Sequence, residues 1–139
     1  MILEEVEQGS ENIVFVYTTC SSKDEARSIG LSVINEHLAI SADYWFVDSI
    51  YPWNSVVEEV EQYMLVLSTQ KKFSEKLIEH IESMHSYHVP MIARCDVSIT
   101  NHLYKTWVEN TLSNKEQYIS EADEKIIKER EEFHYSRLK

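Results

Sequence analysis

Four stretches of the chain have the hydrophobic pattern of β-strands. Ile13–Tyr17 is a short apolar run, as expected for a strand that is buried on both faces. Ile40–Tyr51 alternates between apolar and polar positions, which is the period of a strand. Val56–Thr69 is predicted to return from it across a turn at Pro52–Ser55, so that the two form a long β-hairpin. The fourth predicted strand is Met91–Val97.

Three further stretches repeat their apolar residues at helical spacing. Ser22-Lys23-Asp24-Glu25 has the capping-box pattern that begins a helix. Its apolar stripe is Ala26, Ile29, Gly30, Val33 and His37, with Leu38 near the end. Lys71–Met84 is the second predicted helix, and its stripe is Phe73, Leu77, Ile81 and Met84. His102–Leu112 is the third, with the inward residues Leu103, Trp107 and Val108.

This order of elements, β-α-β-β-α-β followed by a helix, predicts an α+β fold. Two crossovers that share one sheet give a ferredoxin-like sandwich, in which the helices pack on one face of an antiparallel sheet. We expect residues 12–112 to form this domain, after an acidic tail at residues 1–11. Residues 113–139 are predicted to form a charged helical extension, in which Ser120 caps the helix.

Charge and composition restrict the function. The chain has 139 residues, enough for one domain, and 24 acidic residues against 13 basic ones give a net charge of −11. This acidic surplus disfavours binding to nucleic acid or to an anionic membrane. With two glycines the chain has no glycine-rich phosphate loop. No apolar run is long enough to cross a bilayer, and the acidic N-terminus is unlike a leader peptide, so we expect a cytoplasmic protein.

The segment His85-Ser86-Tyr87-His88-Val89-Pro90 is the best candidate for a functional site. It places two imidazoles and a phenol between a predicted helix and a predicted strand. Pro90 fixes its own backbone and restricts Val89 to extended conformations, so the segment is expected to form an ordered corner. Histidine is suited to metal coordination and to proton transfer near neutral pH.

Motifs along residues 13 to about 112 resemble the CutA proteins, the divalent-cation tolerance family. The matching segments, in chain order, are Thr18-Thr19-Cys20, Leu38-Ala39, Ser49-Ile50-Tyr51-Pro52-Trp53, Glu58-Glu59, the corner at His85–Pro90, and Asn101, Tyr104 and Trp107. Several motifs in the correct order and spacing are a specific signal. The chain departs from the family pattern at Ser41, where the family has a cysteine, at Ser55, where it has a glycine, and at Ser86, where it has a proline.

The resemblance implies a homotrimer of ferredoxin-like subunits that are joined through their long hairpins. It also implies tolerance or sensing of divalent metals, copper above all, and an architecture similar to that of the PII signalling proteins. The trimer agrees with the pattern of the hairpin, because overhanging strands that carry Trp45, Tyr51 and Trp53 are edges that self-association would cover.

His85 and Cys20 are the predicted metal ligands, since both lie in segments that match the family. Cys20 meets His85 if the first strand and the corner converge at one end of the sheet. A thiolate with an imidazole suits copper or Zn(II). The alternative is structural: His85 caps the last carbonyls of the second helix, and Cys20 is a small buried hydrophobe. For Cys95, on the fourth strand, a buried thiol is also expected.

A second set of residues is expected at the subunit interface or in a pocket, and it consists of Tyr51, Trp53, Glu59, Tyr87, Tyr104 and Trp107. Large amphipathic rings are typical of such places. Ordinary packing is the alternative for each ring. Glu58, Glu59 and Glu61 could bind a hard cation, but strand alternation separates Glu58 from the other two, and a solvated hairpin explains them more simply.

Two functions follow from these features. The first is a trimeric protein of metal binding, tolerance or response, with His85 and Cys20 at its site. The second is a PII-like signalling or scaffold trimer that holds a small ligand or a partner between its subunits. An enzyme is not expected, because no pair of nucleophile and base is visible in the sequence.

Overall fold

An antiparallel sheet of four strands forms the centre of the structure, a computed structural model that describes residues 12–99, 101–113 and 121–138. The strands are β1 (Ile13–Cys20), β2 (Ser41–Trp53), β3 (Val56–Gln70) and β4 (Ile92–Asp96), in the spatial order β2-β3-β1-β4. The helices are α1 (Lys23–Asn35), α2 (Ser74–Met84), α3 (His102–Leu112) and α4 (Glu121–Leu138). The predicted ferredoxin-like βαββαβ order is confirmed. The acidic tail and the Ser120 cap lie outside the described residues.

The main core lies between the sheet and the helices α1 and α2. Val14 and Val16 of β1 are fully buried, and so are Leu65 and Leu67 of β3, because successive side chains of a strand point to opposite faces. The helices cover them with a stripe at the predicted spacing, which is Ala26, Ile29, Val33, Leu77 and Ile81. The opposite face of the sheet, which we call the open face, is covered at one end by α3 through Val108 and Leu112.

The long hairpin turns on two residues in the left-handed region. Asn54 and Ser55 have φ of 50° and 66°, as a tight two-residue hairpin turn requires. The register of β2 and β3 continues from Ser41 opposite Ser68 to Trp53 opposite Val56, so pairing extends to the tip. Pro52 and Trp53, which were predicted to lie in the turn, therefore belong to β2.

Several predicted details differ from the structure. Helix α1 ends at Asn35, and His37 is exposed with a left-handed φ of 57°, so His37 is not part of the buried stripe. Lys71–Phe73 is a 3₁₀ turn, and α2 proper begins at Ser74. Cys95 is exposed, because it lies on the open face of an edge strand, opposite Phe15.

Trp107 was also expected to face inward but is 42% exposed. The buried residues of α3 are Val108 and Leu112, which are four residues apart, with Tyr104 on the same stripe. Trp107 lies beside this stripe and stacks on Tyr104, with the ring centroids 5.7 Å apart.

The C-terminal extension is helical over Glu121–Leu138, as predicted. His102 at the start of α3 contacts Asp123 of α4, with His102 Nε2 and Asp123 Oδ2 3.2 Å apart, and Asp123 is almost completely buried. This contact attaches α4 to the domain. None of the helices in the described part of the chain is both long and apolar enough to cross a membrane.

Gly30 permits the close approach of α1 to β2, and its replacement tests this packing. A Cβ atom at Gly30 would lie 2.9 Å from the Cβ of Ala42, which is too close for two carbon atoms. We expect Gly30→Ala to lower the free energy of unfolding by about 1 kcal/mol, since overpacking outweighs the gain in helix propensity. Urea denaturation at a fixed protein concentration measures the change.

Ser28→Ala, on the exposed side of α1, is the control and should leave stability the same or slightly higher. A Gly30→Ala protein that is more stable than wild type would contradict this packing.

Candidate metal site and adjoining cavity

The corner at residues 85–90 lies against the end of β1. His85 caps α2: its N–H donates to the carbonyl of Ile81 at 3.0 Å, and its extended backbone, with φ −70° and ψ 137°, directs the chain away from the helix. The chain then passes the last residues of β1 before it enters β4. The predicted meeting of β1 and the corner is therefore present.

The ring of His85 fastens the corner to β1. The N–H of Tyr87 donates to Nδ1 of His85 at 3.1 Å, so Nδ1 is an acceptor and Nε2 carries the ring proton of the neutral imidazole. Nε2 then donates to the carbonyl of Thr19 at 2.9 Å and lies 3.1 Å from the hydroxyl of Thr18. The ring thus holds a backbone carbonyl on one side and a backbone N–H on the other. The predicted alternative, a cap on the last carbonyls of α2, is made by the backbone of His85 and not by its ring.

Glu25 is the residue of this site that the sequence analysis did not assign. Ser22 accepts the N–H of Glu25 at 3.1 Å, which is one half of the predicted capping box. The carboxylate makes other contacts: Oε1 accepts the N–H of Ser21 at 2.9 Å, and Oε2 accepts the N–H of Ser86 at 3.1 Å. Glu25 therefore joins the start of α1 to the corner.

These contacts set the charge of the Glu25 carboxyl. Burial raises its pKa, but hydrogen bonds from Ser86 and Ser21, together with the nearby His85, outweigh burial and hold the pKa below its usual range. Glu25 is thus an anion at neutral pH. It is a negative group beside a partly buried imidazole and a buried thiol.

Cys20 completes a cluster of three potential ligands. One ligand atom of each of Cys20, Glu25 and His85 lies within 4.8 Å of the other two. Cys20 is fully buried, and burial, followed by the charge of Glu25, raises the pKa of its thiol to about 12. The thiol is therefore protonated, and a cation that binds sulfur has to displace this proton.

The donor set fits a soft or borderline divalent cation. Sulfur, imidazole nitrogen and carboxylate oxygen are the ligands of copper and zinc sites. Two ligands of one such ion are at most about 4.4 Å apart, since bonds to zinc are about 2.0–2.3 Å long. Because the ligand atoms of the cluster lie within 4.8 Å of one another, small shifts of the side chains would bring all three within bonding distance of one ion. Cys20, Glu25 and His85 are the residues that would hold the ion.

Tyr87 extends the corner to the open face of the sheet. Its hydroxyl donates to Oε1 of Gln62 at 2.9 Å, and its ring stacks on His85 with the centroids 4.9 Å apart. Burial is the main cause that raises the pKa of the phenol, and the anionic Glu25 raises it further, so the hydroxyl remains a donor. Tyr87 is thereby a link between the cluster and the hairpin.

A cavity of about 620 Å³ lies beside Tyr87, between the corner and the hairpin. Its walls come from the open face and from the corner, and the lining residues are Thr19, Ser49, Tyr51, Trp53, Glu58, Val60, Gln62, Ser86, Tyr87, His88, Val89 and Met91. This volume is typical of pockets for small organic ligands. The corner therefore borders both the cluster and the cavity.

The predicted interface or pocket residues lie in three places. Tyr51, Trp53 and Tyr87 line the cavity. Glu59 is exposed on the other side of β3, opposite Ile50, and its neighbour Glu58 faces the cavity instead. Tyr104 and Trp107 are on α3, outside the cavity lining, where they stack on each other.

Comparison with known proteins identifies the fold and the family. The model of the family described as CutA1 divalent ion tolerance protein matches residues 14–111. The divalent-cation tolerance protein CutA of Pyrococcus horikoshii is 30% identical over 96 residues, which are 69% of this chain and 94% of that protein. The chloroplastic protein CutA of Arabidopsis thaliana is 24% identical over 112 residues, or 78% of this chain, and the match spans only 62% of that longer protein.

A solved structure gives the same result. The crystal structure of CutA1 from Pyrococcus horikoshii superposes with a TM-score of 0.68 at 28% identity, over 70% of this chain and 96% of that chain. The family match covers the βαββαβ elements except Ile13, and α3 except Leu112, and the described fold agrees with it. The chain belongs to the CutA1 divalent ion tolerance protein family.

Proposed function

We propose that this protein is a homotrimer that acts in divalent-cation tolerance by binding copper or a similar cation at Cys20, Glu25 and His85. The CutA1 family is a non-enzymatic family of divalent-cation tolerance proteins, so binding and not catalysis is the activity to explain. The observation that carries the proposal is the convergence of a thiol, a carboxylate and an imidazole within 4.8 Å. These three groups come from β1, from α1 and from the corner.

The chemistry of the three groups supports a soft or borderline ion. Cys20 supplies sulfur, which favours copper and zinc over magnesium and calcium. The Nε2–H of His85 donates to a backbone carbonyl, which is how histidine ligands are commonly oriented by the groups around them. Glu25 adds a negative charge that compensates part of the ion's charge.

The exposed hairpin supports the trimer. Large apolar side chains of β2 and β3 are about half exposed or more, and they are Trp45, Phe46, Ile50, Trp53, Val56 and Val57. These residues lie on both faces of the hairpin, and large apolar side chains exposed in this way mark an interaction surface. β2 is also an edge strand, whose free backbone groups another copy can pair or cover.

The cavity favours a second candidate function, a PII-like trimer that signals or acts as a scaffold by holding a small ligand. Tyr51, Trp53 and Tyr87 offer aromatic surface there, and Glu58 and Gln62 offer polar groups. Because the hairpin also carries the exposed apolar patch, a ligand in this cavity would lie close to a neighbouring subunit. This function becomes the better explanation if calorimetric titration with Cu(II) and Zn(II) shows no binding.

Calorimetric titration tests the cation site. In a Cys95→Ser background, which removes the exposed thiol, we expect Cu(II) or Zn(II) to bind wild-type protein. His85→Ala, Cys20→Ser and Glu25→Gln should each weaken binding by tenfold or more, since second-shell changes alone cost about 10–100-fold and these residues supply the ligands themselves.

His37→Asn is the control for this titration. His37 is exposed and lies outside both the cluster and the cavity lining, and its positive φ of 57° is one that asparagine tolerates, so the affinity should stay unchanged. Equal affinities of wild type and His85→Ala would refute the proposed site, and so would an equal loss in His37→Asn.

Light scattering coupled to size exclusion tests the trimer. At micromolar concentration we expect a particle of three times the chain mass of 16.4 kDa. Trp45→Glu should dissociate it, because a charge placed in an apolar interface loses its hydration without gaining a partner.

Leu31→Glu provides the comparison for Trp45→Glu. Leu31 is 46% exposed and Trp45 is 48% exposed, but Leu31 lies on the exposed side of α1 and not on a hairpin strand. The Leu31→Glu protein should remain a trimer. A single-chain particle for wild type, or equal dissociation by both substitutions, would count against an interface on the hairpin.

A further inference from the structure

The backbone of the corner donates hydrogen bonds to two acceptor atoms of the residues that form the cation cluster. The N–H of Ser86 donates to Oε2 of Glu25 at 3.1 Å, and the N–H of Tyr87 donates to Nδ1 of His85 at 3.1 Å. Nδ1 is the ring nitrogen with a lone pair, because Nε2 holds the proton that is donated to Thr19. Two consecutive N–H groups thus hold a carboxylate oxygen and an imidazole nitrogen of the cluster.

We propose that the corner competes with the cation for His85: the Tyr87 N–H must leave Nδ1 before this nitrogen can ligate the ion, and the bond from the Ser86 N–H to Glu25 holds the corner against this release. This inference rests on the proposed cation site and deepens it by naming its regulation. Nδ1 has a single lone pair, which an ion cannot share with a hydrogen-bond donor, whereas the carboxylate of Glu25 keeps further lone pairs for an ion. The affinity for the ion is therefore reduced by the free energy of the contacts that it replaces.

The corner, and not the end of β1, is the segment that we expect to move when an ion binds. The N–H of Ser21 also donates to the carboxylate, and Ser21 directly follows β1. The residue before it, Cys20, is paired with Tyr63 of β3, so Ser21 is held in place by the sheet. Residues 85–91 have no ladder hydrogen bonds, since they lie between α2 and β4. A small displacement of the corner releases both N–H groups together, because they are adjacent in the chain.

Displacement of the corner also changes the cavity. Four residues of the corner, Ser86 to Val89, line it, and the Tyr87 hydroxyl is bonded to Gln62 on its opposite side. Occupancy of the cation cluster and the shape of the cavity are therefore coupled. Because such coupling is reciprocal, a molecule that fills the cavity and holds the corner in place would weaken cation binding.

Two substitutions at one position separate the N–H from the hydroxyl. Ser86→Pro and Ser86→Ala both remove the hydroxyl, which also stabilises the Glu25 carboxylate, but only Ser86→Pro removes the N–H. His85 already has φ −70° and ψ 137°, a conformation that a following proline permits. In the Cys95→Ser background, calorimetry should show Zn(II) binding to Ser86→Pro about tenfold tighter than to Ser86→Ala, which is the equivalent of one hydrogen bond to a charged group.

A second measurement uses the unaltered corner and does not depend on the folding of Ser86→Pro. In ¹⁵N-labelled protein without a substitution in the corner, Zn(II) should shift the amide signals of Ser86 and Tyr87 and the indole signal of Trp53. The indole signal of Trp107, on α3 and outside the cavity, should stay in place.

The outcomes distinguish the inference from the function on which it rests. Zn(II) binding that depends on His85 but leaves the Ser86 and Tyr87 amides unshifted would overturn the competition and leave the cation site standing. Equal or weaker binding to Ser86→Pro than to Ser86→Ala, with both proteins folded, would do the same. No Zn(II) binding by any of these proteins would remove the cation site and the competition together.

Discussion

The hydrogen bond from the His85 ring to the carbonyl of Thr19 is the contact on which the functional end of this molecule depends. It joins two segments that are 66 residues apart in the chain, the end of β1 and the corner after α2. Since β1 is a central strand, paired on both sides, the corner is fastened to one of the most constrained parts of the fold. Cys20 comes next to Thr19, so the same contact brings the thiol and the imidazole together.

The cluster combines groups that oppose one another when no ion is present. The thiol of Cys20 is buried and protonated, while Glu25 is kept as an anion by backbone N–H groups. Each potential ligand therefore already has a proton or a hydrogen-bond partner. A cation that binds here has to displace the thiol proton of Cys20 and the hydrogen bond at Nδ1 of His85, which lowers its affinity.

The long hairpin has two roles in the structure. Its open face supplies the walls of the cavity, and its exposed apolar residues form the surface that the trimer proposal assigns to the subunit interface. The turn at Asn54 and Ser55 holds two residues with positive φ, which non-glycine residues adopt at some cost. This cost is acceptable because the pairing of β2 with β3 continues to the tip and fixes the turn.

The order of the elements, the ferredoxin-like fold and the family could be predicted from the sequence, because hydrophobic period and local motifs are properties of neighbouring residues. The sequence also indicated His85 and Cys20 as candidate metal ligands. Only the three-dimensional contacts show that Glu25 lies beside them. The capping box predicts a contact between Glu25 and Ser22, and it gives no sign that the Glu25 carboxylate reaches Ser86. The tertiary structure likewise placed Glu58 and not Glu59 at the cavity, and left Cys95 and Trp107 exposed. These outcomes depend on strand register and on contacts between residues that are far apart in the chain, such as Glu25 with His85 and Phe15 with Cys95. The pattern of neighbouring residues does not predict such contacts.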